Sequence, residues 1–249
     1  MSENSQASGL LSGKSALIFG VANRRSIAWA IAQSLAEGGA QVAFTYQGER
    51  IEAGVRELAE SLGQNSPVLP CDVTRDEDLD AVFNEVGQRY GGLDILIHSV
   101  AFAAKEDMEG RFTDTPRDHF LKTMDISACS LTAMVKRAEP LMEARGGGTV
   151  LTMTYLGGER AVPHYNVMGV AKAALESSVR YLALELGPKN IRVNAISAGP
   201  IRTLAARSIA GFTVMEEEME KRSPMQRNVD ASEVGDTALF LSKIGRAHV

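Results

Sequence analysis

Two hydrophobic rhythms alternate along this chain. Short, nearly unbroken apolar runs occur at Ser15 to Phe19, Gln41 to Tyr46, Pro67 to Cys71, Leu93 to His98, Thr149 to Thr154 and Ile191 to Ile196. Runs of this length and continuity predict strands buried on both faces, the third made imperfect by Pro70. Between them apolar residues recur at helical spacing, as in Ser26 to Glu37, where Ile27, Ile31 and Leu35 stand four apart. Further helices are predicted over Glu49 to Leu62, Arg75 to Tyr90 and Tyr165 to Leu186. Pro116 to about Glu143 reads as one or two helices. Two more lie near Val214 to Lys221 and Ala231 to Leu241. Gly38-Gly39, Gly91-Gly92 and Gly187-Pro188 supply the stops. Strand and helix alternate six times with short connections, which predicts an α/β protein with a doubly wound parallel sheet in three α/β/α layers. No repeat, low-complexity segment or linker interrupts the pattern, so residues 1–249 are expected to form one domain.

Composition narrows the function classes. The 249 residues carry 26 Lys and Arg against 31 Asp and Glu, a formal net charge of −5. A protein that tracks nucleic-acid phosphates needs a basic face, and no Lys/Arg cluster provides one. No apolar stretch is long enough to span a membrane. Met1 to Ser8 is polar and lacks the apolar core of a signal peptide, so a cytoplasmic location is expected. Two cysteines, Cys71 and Cys129, make no disulfide framework. The four histidines show no metal-ligand spacing, so no metal is expected.

Gly9 to Ser15 imitates a phosphate loop. That loop would need glycine where Ser8 stands, and Gly13-Lys14 precedes the first strand where it ought to follow it. A phosphate site fits better at the first strand–helix junction, Gly20 to Ala28. A strand end needs glycine for a tight turn, and a helix N-terminus offers N–H groups and a positive dipole end. Only Gly20 remains of the usual Gly-x-Gly-x-x-Gly, so the stretch reads equally as a plain turn with Ser26 capping the helix. Asp72, at the end of the third strand, can accept from an adenine amino group or cap the next helix. Gln47 ends the second strand. It can bond ribose hydroxyls but cannot neutralise a 2′-phosphate, which favours NAD (NADH) and leaves NADPH, through Arg50, as the lesser alternative.

Tyr165 and Lys172 are seven residues apart and share a helix face. An ammonium beside a phenol lowers its pKa, which makes Tyr165 a candidate proton donor or oxyanion stabiliser. By itself the pair is common surface chemistry, but its place after the fifth strand aims it at the crevice. Tyr155 is a second phenol at the end of that strand, a catalytic partner or a loop anchor. After the sixth strand, the small-residue loop holding Gly199, Pro200, Ile201 and Thr203 lets backbone approach a nicotinamide. Leu204 to Phe212 reads as an apolar lid over a hydrophobic substrate, or as a buried helix.

Together these segments resemble the divergent branch of the short-chain dehydrogenase/reductase superfamily, the bacterial NADH-dependent enoyl-acyl-carrier-protein reductases of the first type. The resemblance runs from Leu11 to about Leu241. It is carried by LSGKSALIFGVANRRSIAWAIA from Leu11, AFTYQ at Ala43 to Gln47, Asp72-Val73, IHSVAFA at Ile97 to Ala103, TYLGGERAVPHYNVMGVAKAALE at Thr154 to Glu176, and VNAISAGPIRTLAA at Val193 to Ala206. The Tyr-x6-Lys spacing, with Met168 three after the tyrosine, marks this branch. The ordinary branch uses Tyr-x3-Lys, and Gly169 stands where that lysine would be.

The resemblance implies a Rossmann-like fold and reduction of the trans-2 double bond of an enoyl thioester. It places Gly20, Ala22, Ser26 and Ile27 along the pyrophosphate, Gln47 near the adenosine ribose, and Asp72 and Val73 at the adenine. Ser99, Val100 and Ala101 would pass beneath the cofactor, with Ala101 where many relatives have glycine. Lys172 would bind the nicotinamide ribose hydroxyls, with Gly199, Pro200, Ile201 and Thr203 at the nicotinamide end. Tyr165 would bond the thioester carbonyl and hold the enolate. Ala103, Tyr155, Met168, Ala205, Ile209 and Phe212 would form the acyl pocket and its lid. The implied partner is acyl carrier protein, and the implied assembly a homotetramer. Two other readings stay open: a different divergent reductase, and a non-catalytic dinucleotide-binding homologue. In that family the chain continues past Ser242 into a seventh strand. Lys243 to Val249 matches nothing there, and Ile244 to Val249 reads like one frame of a sequencing-library adapter. The expectation is a native-like chain to about residue 242, with six strands and the seventh, edge strand missing.

Overall fold

The structure, a computed structural model, describes residues 9–203 and 212–243. Ala205, Ile209 and the adapter-like tail from Ile244 lie outside the described residues. Six strands, β1 (Ser15–Phe19), β2 (Gln41–Tyr46), β3 (Val68–Pro70), β4 (Ile95–His98), β5 (Gly148–Thr154) and β6 (Ile191–Ser197), form one sheet in the order β3-β2-β1-β4-β5-β6. Every pairing is parallel. The winding reverses between β1 and β4, which opens a crevice at the carboxyl ends of the central strands.

Helices cover both faces. They are α1 (Ile27–Glu37), α2 (Glu49–Ser61), α3 (Asp76–Tyr90), α4 (Lys105–Glu109), α5 (Arg117–Met124), α6 (Ser130–Glu143), α7 (Asn166–Leu186), α8 (Phe212–Arg222) and α9 (Ala231–Ser242). Side chains alternate across the pleat, so each strand feeds two cores. Ile18, Phe44, Ile95 and Ile97 face α1 and α9. Leu17, Phe19, Ala43 and Leu96 join α3, α6 and α7 on the other side. Burial on both faces is why the strands read as unbroken apolar runs.

Several boundaries differ from the pattern. β3 keeps only three residues and ends on Pro70, which has no N–H to extend the ladder. Tyr165 sits just before α7 rather than inside it. The long segment 116–143 is two helices joined by a π-helical turn, Asp125–Cys129. Helix α4 was not anticipated, because five residues show too little periodicity.

At the opposite end from the crevice, Asp94 is fully buried. It accepts from Lys14 Nζ at 2.8 Å, from the Ser15 N–H at 3.0 Å and from Arg145 Nε at 3.2 Å. Burial alone would raise its pKa, but these donors hold it below the ordinary value. Lys14, the lysine of the phosphate-loop imitation, is thereby committed to an ion pair far from the crevice. On β6, Arg192 donates to Thr149 Oγ1 and to the Leu241 carbonyl, both at 2.6 Å, and so ties α9 to the sheet.

Candidate active site

A cleft of about 600 Å³ opens at the carboxyl ends of the strands. Gly20 ends β1 with φ +102°, and a Cβ there would stand 2.0 Å from the Ser99 carbonyl oxygen. Only glycine lets the first and fourth strand ends approach so closely. Ala22, Ser26 and Ile27 also line the cleft. Ser26 does not cap α1 through its side chain. Its hydroxyl accepts from the Ala22 and Asn23 N–H groups at 3.0 and 3.1 Å, so it closes the preceding loop.

On the β2–β3 side the cleft is lined by Gln47, Ile51, Cys71 and Val73. Asp72 is not among the lining residues. Its Oδ1 accepts from the Thr74 N–H and hydroxyl at 2.9 and 2.7 Å, the turn-forming alternative. Burial would raise its pKa, but the Thr74 bonds and Gln47 bring it below the usual value. Burial, then Asp78 and Asp72, push the Cys71 thiol up to about 12, so Cys71 is a wall and not a nucleophile.

After β4, the floor is Ser99, Val100, Ala101, Phe102 and Ala103. The Ser127 hydroxyl, on the π-helical turn, accepts from the Phe102 N–H at 2.9 Å and donates to its carbonyl at 3.2 Å. Beneath the floor His98 is fully buried. Ser130 spends its only proton on the Ile126 carbonyl at 2.6 Å, so His98 Nε2 must donate to Ser130 Oγ, at 2.8 Å. Nδ1 then accepts from the Thr152 hydroxyl at 2.8 Å. Burial, with the Lys172 charge adding, lowers its pKa to about 3, so the ring is neutral.

The β5–β6 side brings Thr154, Tyr155, Tyr165, Met168 and Lys172 to the cleft, facing Gly199, Pro200, Ile201, Thr203 and Phe212. The two phenol rings pack edge to face, with centroids 5.0 Å apart. Tyr165, Met168 and Ala171 form an apolar cluster with Met108 of α4. The phenol is not acidified as its spacing from Lys172 predicts. Burial is the leading influence on Tyr165, Tyr155 adds to it, and together they raise its pKa above the ordinary tyrosine value. Burial raises Tyr155 as well. Lys172 is 6% exposed, and its Nζ donates to the Met153 carbonyl at 2.7 Å. Burial lowers its pKa to about 8, opposed by Glu176.

Two glycines make room for Tyr165. A Cβ on Gly157 would stand 2.3 Å from Tyr165 Cδ1, and one on Gly169 would stand 2.7 Å from the Gly157 carbonyl oxygen. Sequence reasoning did not reach Gly157, Ile51, Cys71, Phe102 or Met108. None carries a chemical signal of its own, and each matters only through what the fold sets opposite it. Among the described residues no cluster of His, Cys, Asp and Glu could hold a metal ion.

The arrangement suits a dinucleotide lying across the strand ends with an apolar substrate beside the two phenols. A family model described as enoyl-(acyl carrier protein) reductase matches residues 20–245. The chain is similar to the enoyl-acyl-carrier-protein reductase (NADH) FabI of Bacillus cereus, with 56% identity over 233 residues, 93% of this chain and 90% of that one. It is 50% identical over 232 residues to the enzyme of Staphylococcus aureus, whose name specifies NADPH, again covering 93% and 90%. Among solved structures it resembles a Bacillus cereus enoyl-acyl carrier protein reductase with NADP+ and indole naphthyridinone. The TM-score is 0.91 at 55% identity, covering 94% and 91% of the two chains.

Proposed function

The chain belongs to the enoyl-acyl-carrier-protein reductase family, and from that premise we infer that it reduces the trans-2 double bond of enoyl thioesters carried on acyl carrier protein, with NADH, in the last step of the fatty-acid elongation cycle. The observation that carries this reading is that buried Tyr165 and buried Lys172 line one cleft whose opposite end suits a dinucleotide. The residues fit the cofactor. Gly20 leaves the backbone bare where a pyrophosphate would approach, and Gln47 and the buried Lys172 line the cleft where they would meet the adenosine ribose and the nicotinamide side. When bound, NADH supplies the hydride that reaches the β-carbon of the substrate.

The chain's own residues supply the rest. Gly20, Ala22, Ser26 and Ile27 would seat the pyrophosphate, and Val73 would edge the adenine. Lys172 would orient the nicotinamide ribose through its hydroxyls. Tyr165 keeps its proton because burial raises its pKa, so it is a hydrogen-bond donor across the neutral range. It would donate to the thioester carbonyl oxygen and strengthen that bond as negative charge gathers there in the enolate. Met108, Met168 and Phe212 line the cleft with apolar surface and keep water from competing for that oxygen. Protonation at the α-carbon completes the reduction.

Gln47 brings no cation to a 2′-phosphate, which supports NADH over NADPH. We also propose one domain, a cytoplasmic location and a homotetramer. Exposed Tyr181 and Leu184 on α7 and Phe240 on α9 offer apolar surface that other copies would cover. The test of the reaction is NADH consumption with a crotonyl thioester. Tyr165→Phe is expected to lose about 10²–10³-fold in kcat while still binding NADH, and full activity in that variant would overturn the assignment.

A further inference from the structure

We propose that Asn166 is a positioning residue for Tyr165, because its side-chain amide ties the backbone beside the reacting phenol to the end of α4. This rests on the reading of Tyr165 given above.

Tyr165 stands between two residues in the left-handed region, His164 at φ 63° and Asn166 at φ 39°. Non-glycine residues rarely hold such angles, and two of them flanking one side chain persist only where the surroundings enforce them. The enforcing contact is visible. Asn166 Nδ2 donates to the Asp107 carbonyl at 2.8 Å and to the Gly110 carbonyl at 2.9 Å. Helix α4 is five residues long, and these are carbonyls that its own ladder does not use. One amide therefore spends both protons closing the end of a neighbouring helix, and none on capping α7.

Helix α4 is itself anchored. The Asp107 carboxylate is buried and meets His119 Nδ1 of α5 at 3.1 Å from each oxygen. The next residue, Met108, packs against Tyr165 and Met168 and lines the cleft. The connections close a ring from Tyr165 to Asn166 by the chain, to α4 by the amide, and back to Tyr165 through Met108. Gly157 also packs closely against the phenol ring. The amide thus sets where the hydroxyl stands relative to the substrate oxygen, and touches neither substrate nor cofactor.

The test is a double-mutant cycle with two substitutions of opposite design. Asn166→Gly keeps the left-handed backbone and removes the amide. Asn166→Asp keeps shape and backbone tolerance, but sets an acceptor-only carboxylate against two carbonyl oxygens. Each is expected to lower kcat on the crotonyl thioester by about 10–100-fold, with NADH Kd held within about twofold of wild type. In a Tyr165→Phe background neither is expected to lower kcat by more than about twofold, because the hydroxyl they place is already gone. Equal losses in both backgrounds, unchanged kcat in either variant, or a variant that no longer folds or binds NADH would each show the amide serving the fold alone and overturn the proposal. Full activity of Tyr165→Phe by itself would instead overturn the underlying assignment of the phenol.

Discussion

Burial, more than charge proximity, sets the chemistry of the two central side chains. Sequence spacing places a phenol and an ammonium on one helix face and points to a phenolate. The tertiary environment reverses that sign, because desolvation penalises the charged form of each group. Tyr165 is held as a donor, and Lys172 is brought down to about 8. A lysine whose folded pKa lies below its unfolded value destabilises the fold at neutral pH. The penalty fades as pH rises from about 8 towards the unfolded value. Lys172→Met is therefore expected to raise the stability of the cofactor-free protein at neutral pH by about 1–3 kcal/mol, while abolishing NADH binding. Thermal melts with and without NADH check both halves. In the wild-type protein NADH affinity should weaken as pH passes above about 8, and a flat Kd well beyond that pH would refute the role. His98 works in the opposite pH range. Its folded pKa of about 3 lies below the ordinary histidine value of 6.5. Stability is complete above about pH 6.5 and is lost as pH falls towards 3, since the unfolded state takes up the proton first. His98→Gln should flatten that acid dependence, measured as urea midpoints across the same range.

At the scale of elements, long periodic segments were legible and short corrective ones were not. Strand β2 and the starts of α2 and α9 stand where the apolar pattern puts them. The five-residue α4 and the π-helical turn at 125–129 left no mark on it. Yet α4 carries Met108 to the cleft, and the π-helical turn aims Ser127 at Phe102. The motif between β5 and α7 was legible as residue types, but its packing was not. Gly169 marks the absence of the shorter Tyr-x3-Lys motif, and the structure supplies the reason, since any side chain there meets the Gly157 carbonyl. Gly169→Ala is expected to push that backbone away from Tyr165, costing about 1–3 kcal/mol in stability and lowering kcat more than it raises the KM for NADH. Denaturant melts and steady-state kinetics read the two effects. Wild-type values on both would show that the contact relaxes freely.

At the scale of the whole molecule, the two ends of the sheet have separate duties. The carboxyl ends hold the cleft. The amino ends hold Asp94, which fastens β1, β4 and the end of α6 through Ser15, Lys14 and Arg145. Asp94→Asn leaves two cations without their buried partner and should cost about 3–5 kcal/mol. Turnover per folded molecule should stay near wild type, because the site lies at the far end. A parallel loss of kcat under conditions where the protein remains folded would contradict that separation. The proposed tetramer is tested on the same scale. Leu184→Glu puts a charge on the apolar outer face of α7, and a lower-mass species in light scattering is the expected result.

The sequence by itself determined the order of strands and helices, the glycine that ends β1, and the family. These follow from local periodicity and from residue types that survive without three-dimensional context. Together with the family resemblance it also reached most of the cleft wall, and a doubly wound sheet explains why those strand-end segments converge. Only the tertiary structure decided the protonation of Tyr165 and Lys172, the diversion of Asp72 and Ser26 into their own turns, and the amide contacts of Asn166 next to Tyr165. Each of those depends on what stands opposite a group and how much water is left between them, and residues such as Met108, Gly157 and Asn166 acquire a role only when the fold supplies that neighbour.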